Sequence, residues 1–157
     1  MKKLVVLSMG LAAIASANAA DNTPSQPVNQ PVAVVRIFDT TGGNAKLMSG
    51  NELSRRKPRN ACVIVANVPV LEKNSFIQYF QAPAQTKMDI PATIAQVKGE
   101  ANGKNYLVSK TVTKAEMPRG ETGFCWGFTE QDPVGEYTID VQFNNIVFKN
   151  LKFKVLK

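Results

Sequence analysis

A strict alternation of apolar and polar side chains near the C-terminus is the feature that most restricts what this chain can fold into. Over residues 137–143 every second side chain is apolar, namely Tyr137, Ile139, Val141 and Phe143. A period of two predicts a β-strand with one buried face. The pair Asn144-Asn145 follows, and asparagine tolerates positive φ better than other non-glycine residues, so the sequence predicts a two-residue turn and a β-hairpin.

The return strand of this predicted hairpin changes phase along its length. Ile146 and Phe148 lie on one phase, whereas Leu151, Phe153 and Val155 lie on the other. All five side chains can face one core only if an extra residue is inserted near Asn150. The sequence therefore predicts a β-bulge at that point.

The rest of the chain has further strand signals at short intervals and no good helical period after the N-terminal leader. The other predicted strands cover residues 32–38, 62–70, 75–80, 90–98, 105–113 and 122–129. About eight short strands predict an all-β antiparallel sandwich that forms a single domain over residues 32–157. Residues 39–60 have no sustained period, and this length indicates either a functional loop or a loop that contains short structure.

The turn Asp132-Pro133-Val134-Gly135-Glu136-Tyr137 resembles the entry to the penultimate strand of immunoglobulin-like domains. In those domains a tyrosine just inside the strand donates a hydrogen bond back to the turn. A cysteine lies two residues later in true immunoglobulin domains, but here that position is Ile139, and Cys125 lies one strand earlier. The resemblance covers about the last third of the chain. It implies an immunoglobulin-like sandwich and implies no function.

The N-terminus has the layout of a secretory signal peptide. A basic start at Lys2 and Lys3 is followed by a short apolar run over residues 4–14 and by the small-residue pattern Ala17-Asn18-Ala19. The run is too short for a membrane span, and no later stretch resembles one. We expect cleavage of residues 1–19 and export to the periplasm, with secretion as the alternative; a buried N-terminal helix is the other interpretation. Residues 20–31 contain three prolines and predict a flexible lead-in.

The chain has two cysteines, Cys62 and Cys125, each in an apolar, strand-like stretch. In an exported protein such a pair predicts one disulfide, with a free reactive cysteine as the alternative. Two thiols are too few for a cysteine zinc site. The chain also has no histidine, which excludes histidine metal ligation and histidine-activated nucleophiles. We therefore expect no metal and no cofactor.

The acidic residues provide little support for catalysis. Those that could gather in the fold lie in the C-terminal third, namely Glu116, Glu121, Glu130, Asp132, Glu136 and Asp140. Glu130 and Asp132 lie on a predicted turn and Asp140 lies on the polar phase of its strand, so we expect all three to be solvated. The sequence predicts a protein that is not an enzyme, and a hydrolase that uses carboxylates is the weakest alternative.

The basic residues form one cluster. The net charge is +7, and removal of Lys2 and Lys3 with the leader, which has no acidic residue, leaves +5. Within five positions lie four of the cations, Arg55, Arg56, Lys57 and Arg59. These side chains are candidates for anion binding, because guanidinium groups pair bidentately with phosphate and carboxylate. The alternative is a solvated loop. No signature of nucleic-acid binding accompanies the cluster.

Three aromatic side chains, Phe124, Trp126 and Phe128, share one face of a predicted strand, and Cys125 and Gly127 share the other. Large rings are costly to leave in water, so we expect these three to lie in the core. The alternative is an exposed platform that binds sugar or peptide.

Together these features predict an exported, non-enzymatic module that binds another protein or an anionic component of the envelope. One alternative is a subunit or accessory protein of a bacterial surface assembly that reaches a neighbour by strand addition. Another is an inhibitor of a periplasmic or extracellular enzyme. The sequence identifies neither the partner nor the oligomeric state.

Overall fold

The computed structural model describes residues 30–157, which form ten β-strands and one short 3-10 helix at Lys114–Glu116. The predicted signal peptide and residues 20–29 of the lead-in lie outside the described residues. The strands are β1 (Val32–Asp39), β2 (Lys46–Leu47), β3 (Glu52–Ser54), β4 (Arg59–Ala66), β5 (Lys73–Gln81), β6 (Gln96–Gly99), β7 (Asn105–Thr113), β8 (Thr122–Gly127), β9 (Gly135–Phe143) and β10 (Ile146–Leu156).

The strands form two sheets that pack as a sandwich, which confirms the predicted fold class. The four-stranded sheet has the order β2-β1-β4-β8, and the six-stranded sheet has the order β3-β10-β9-β5-β7-β6. Within the described residues the paired strands run antiparallel, except that β3 pairs parallel to β10. The strands β2 and β3 account for the excess over the predicted eight. Both lie within residues 39–60, so this loop contains short structure.

The C-terminal hairpin has the turn and the bulge that the sequence predicts. Asn144 in the turn has a φ of 51°, and the β9–β10 register shifts between Phe148 and Leu151. Within the bulge Asn150 has a φ of 60°, and its N–H donates to Asp140 Oδ1 at 2.8 Å. The shift brings the apolar side chains of both halves of β10 onto the inner side of the sheet.

One predicted strand is shorter than expected. The sequence predicts a strand over residues 90–98, but β6 begins only at Gln96. The preceding segment turns at Pro91, whose carbonyl oxygen accepts the Ile94 N–H at 2.8 Å. Ile90 and Ile94 are partly buried and pack against the core without joining a sheet.

The three aromatic side chains of the β8 region lie in the core, as the sequence predicts. Trp126 is 1% exposed, Phe124 5% and Phe128 9%. The Trp126 ring contacts the Phe80 ring at a centroid distance of 4.5 Å, and its Nε1 donates to Gln78 Oε1 at 3.0 Å. The alternative, an exposed aromatic platform, is wrong, because the folded chain leaves these rings out of reach of a ligand.

The disulfide between Cys62 and Cys125 is present and joins neighbouring strands of one sheet. The two residues are directly opposite in the β4–β8 ladder, with their Cα atoms 3.9 Å apart. Antibody domains instead use a disulfide that joins their two sheets. The pair therefore fixes the register of β8 on β4 and does not tie the sheets together.

Candidate functional site

The four-stranded sheet has an apolar face on both sides. Along β1 the side chains of Ala33, Val35 and Ile37 pack in the core, so those of Val34 and Phe38 point away from the six-stranded sheet. The same alternation holds along β4. Antiparallel sheets that bury only one face normally have polar residues on the other.

The cross-strand register defines this outer face. Arg36, Cys62 and Cys125 form its central row, because Arg36 pairs with Cys62 and Cys62 with Cys125. The adjacent rows follow from the same pairings. The outer face therefore consists of Val32, Val34, Arg36, Phe38, Leu47, Asn60, Cys62, Ile64, Ala66, Gly123, Cys125 and Gly127. It has one charged side chain and no acidic one.

No second layer within residues 30–157 covers the apolar side chains of the outer face, although Cys62 itself is only 2% exposed among its neighbours. Leu47 is 48% exposed, and Val34, Phe38 and Ile64 are partly exposed. None of them belongs to the core cluster or packs against it.

Gly123 and Gly127 lie two residues before and after Cys125 on β8, so no side chain stands above the main chain in this part of the outer face. A Cβ added to Gly123 would meet the main-chain oxygen of Val63 at 3.0 Å, so β4 and β8 approach closely there. A larger residue at Gly123 would require one of the two strands to shift. A partner can therefore approach the main chain of β8 beside Cys125.

The outer side of the six-stranded sheet is ordinary by comparison. Along β9 the outward side chains are all polar, namely Glu136, Thr138, Asp140 and Gln142. Lys152 of β10 forms an ion pair with Glu136 at 2.7 Å. Elsewhere on this side separate apolar side chains are exposed, namely Leu107 at 41%, Val147 at 52% and Leu156 at 36%, between polar neighbours.

Arg36 is the single charge on the outer face. Its side chain is exposed and lies between Val34 and Phe38 on β1. Within residues 30–157 it has no hydrogen-bond or ion-pair partner. A guanidinium group has five N–H donors, so Arg36 can donate hydrogen bonds to a carboxylate from outside the chain.

The four cations of the predicted anion site do not come together. Arg55 turns inward, where its guanidinium donates to the main-chain oxygen of Asp132. Arg56 Nε lies 3.1 Å from Glu130 Oε1 on the surface. Lys57 is exposed and has no acidic partner in the described part of the chain.

Arg59 is also occupied by a carboxylate of the same chain. Its Nε lies 3.3 Å from Asp39 Oδ2, and both side chains are mostly buried. Hydrogen bonds from Thr41, together with Arg59, lower the pKa of Asp39 below its usual value. Three of the four basic side chains thus have partners within the fold, and anion binding by the cluster stays a prediction.

The expectation that Asp132 is solvated is wrong, because its side chain is 2% exposed. Its Oδ1 accepts from Thr86 Oγ1 at 3.0 Å, and its Oδ2 accepts from the Thr129 N–H at 2.8 Å. These bonds tie the segment after β5 to the turn before β9. Glu130 is exposed, as expected, and Asp140 is partly exposed.

The described residues provide no cluster of side chains that could hold a metal ion, and they include an open cleft. No group of three or more Cys, Asp or Glu side chains that could hold a metal ion is found in residues 30–157. An open cleft of about 520 Å³ is lined by Gln85, Thr86, Lys87, Gly103, Gln131 and Asp132. Within the same residues no helix is long and apolar enough to cross a membrane.

Sequence reasoning missed the outer face, although a signal was present. Residues 62–70 are apolar on both phases, which from sequence alone indicates a central strand. The strand is central within its sheet, but only one side of that sheet has a second layer. Local pattern does not specify which side is covered.

Comparison with known proteins agrees with this architecture. A family model described as the PM0630 beta sandwich domain matches residues 33–156, which is nearly the whole described region. The chain is 37% identical over 161 residues to a protein of Pasteurella multocida (strain Pm70) that bears the name uncharacterized protein PM0630. This match covers the full length of both chains. The chain therefore belongs to the PM0630 beta sandwich domain family.

Proposed function

We propose that this chain is an exported, non-enzymatic protein-interaction module and that the outer face of the four-stranded sheet is its binding surface. The observation that carries the proposal is the uncovered apolar character of that face, with Phe38 and Ile64 near the disulfide and Leu47 48% exposed at its edge. A contiguous apolar surface on a soluble domain typically marks a protein–protein contact.

Two features support export. The Cys62–Cys125 disulfide is typical of an oxidising compartment such as the periplasm. The first nineteen residues have the pattern of a cleaved leader. An exported chain meets its partner outside the cytoplasm, so the periplasm is the compartment in which to search.

The size of the face indicates how strong such a contact can be. Three strands of six to eight residues and one strand of two residues, at about 4.8 Å spacing and about 3.4 Å per residue, give roughly 400 Å². A standard interface buries about 800 Å² on each partner. A face of this size fits a transient complex, or one in which the partner also contacts the neighbouring loops.

Capture from periplasmic extract, followed by mass spectrometry, tests the proposal. The exported chain is compared with the double variant Phe38→Ser/Ile64→Ser and with a control, Ile77→Ser, which changes the outer side of the six-stranded sheet. We expect one partner protein to be captured by the wild type and the control and to be at least about tenfold depleted with the double variant.

Thermal melting of all three proteins shows whether they are folded at the temperature of capture. Equal capture by the double variant and the wild type would place the binding surface elsewhere. Failure of the wild type to capture any protein would remove the support for an interaction module.

A further inference from the structure

The position of Arg36 restricts what can cover the outer face. Arg36 lies in the central row of the face, opposite Cys62, and the apolar side chains of Val34 and Phe38 flank it along β1. A partner that covers Phe38 and Ile64 must therefore also cover the stem of Arg36 and reduce the access of water to its guanidinium group.

A covered guanidinium needs acceptors, because burial of an unpaired charge is strongly unfavourable. No acidic side chain belongs to the outer face. Nor does Arg36 have a partner elsewhere in residues 30–157. The acceptor must come from the molecule that binds.

A second copy of the chain does not satisfy this requirement. Face-to-face pairing of two outer faces would bring a second Arg36 and no carboxylate. The buried area would also be only about 400 Å² per copy, below the roughly 800 Å² of a standard interface. The same face therefore lacks both the charge and the area for a stable homodimer.

A lipid surface also fits less well than a protein. Binding to anionic membranes typically uses clusters of about four to eight basic residues. The outer face has a single cation, and most of its apolar side chains are partly buried within the plane of the sheet.

We infer that the partner is a different protein with an apolar surface that presents an aspartate or glutamate carboxylate to Arg36 beside the Cys62–Cys125 disulfide. This inference depends on the proposed function, since it specifies the chemistry of the same face. Arginine paired with carboxylate within an apolar surface is a frequent centre of binding energy in transient complexes.

The test measures the affinity of Arg36 variants for the protein captured by the wild-type chain. We expect Arg36→Gln to weaken binding at least about tenfold and Arg36→Glu to weaken it further, with Arg36→Lys between wild type and Arg36→Gln. The control is Lys73→Glu, an exposed change on the six-stranded sheet, which leaves the affinity unchanged.

The alternative outcomes are distinguishable. Wild-type affinity of Arg36→Gln, together with loss of binding by Phe38→Ser/Ile64→Ser, would refute the carboxylate contact and leave the interaction face in place. Unchanged binding by both variants would refute the two proposals together.

Two further probes address the other occupants. If light scattering finds a dimer of the wild type and a monomer of Phe38→Ser/Ile64→Ser, the outer face binds a second copy of the chain and the inference of a different protein is wrong. If the wild type sediments with vesicles of phosphatidylglycerol and phosphatidylethanolamine and Arg36→Gln does not, the outer face binds a membrane and the inference of a protein partner is wrong. We expect a monomer and no sedimentation.

Discussion

Tyr137 shows how one side chain can fix both the core and the turn that leads into β9. Its ring lies 5.5 Å from the Phe80 centroid and stacks on Phe153 at 5.3 Å. Its hydroxyl donates to the main-chain oxygen of Pro133 at 2.8 Å. This bond is the one that the likeness to immunoglobulin domains implies. Burial, and next the negative charge of Asp132, raise the pKa of Tyr137 well above its usual value.

The raised pKa predicts a pH dependence that Tyr137→Phe removes. At neutral pH we expect the variant to be about 1 kcal/mol less stable, because it lacks the bond to Pro133. Above the ordinary tyrosine pKa of about 10 the unfolded chain loses a proton that folded Tyr137 keeps, so wild-type stability falls as pH rises. Urea unfolding measures the free energy of unfolding of both proteins. We expect the wild type to be the more stable at pH 7 and to have lost this advantage, or to be the less stable, at pH 11. Parallel pH profiles of the two proteins would contradict this role.

At the scale of elements, the bulge in β10 confirms the prediction made from the change of phase in the sequence. Asn150 has a φ of 60°, a conformation that glycine and asparagine tolerate and β-branched residues avoid. Asp140 on β9 accepts the Asn150 N–H and holds the extra residue in place. The bulge lets both halves of β10 direct apolar side chains inward.

Substitution of Asn150 tests this requirement. We expect Asn150→Val to destabilise the protein by about 1–2 kcal/mol and Asn150→Gly to change stability by less than about 0.5 kcal/mol. Lys149→Val provides a matched control, since Lys149 is exposed beside the bulge and does not have positive φ. Equal losses for Asn150→Val and Lys149→Val in denaturant unfolding would show that the backbone conformation is not the cause.

The same element shows where prediction from sequence ends. The hairpin, its turn and its bulge are predictable because the period of two and the asparagines act within a few residues. The parallel pairing of β3 with β10 joins residues about a hundred positions apart, and no local pattern indicates it. The burial of Asp132 likewise depends on Thr86, 46 positions away. The partners of Arg55 and Arg59 are also set by distant contacts, so the basic cluster was predictable as a sequence feature but not as a site.

At the scale of the whole molecule, the two sheets have different outer surfaces. The six-stranded sheet has a polar row along β9 on its outside, whereas the four-stranded sheet is apolar on both sides and has the disulfide on its outer face. The disulfide occupies the central row of that face together with Arg36. Because the core packs on the opposite side, through residues such as Phe124 and Trp126, the disulfide and the core stabilise the sheet separately.

This separation predicts the effect of removing the disulfide. The link closes a loop between positions 63 apart in the unfolded chain, which in the loop-entropy model contributes about 4 kcal/mol. We expect Cys62→Ala/Cys125→Ala to melt at a clearly lower temperature and yet to keep the blue emission of a buried Trp126, since the core face of β8 is unchanged. Alkylation of the native wild type without reductant should find no free thiol. Two titratable thiols in that experiment, or a double variant that melts like the wild type, would show that the bond does not form or does not stabilise the folded protein.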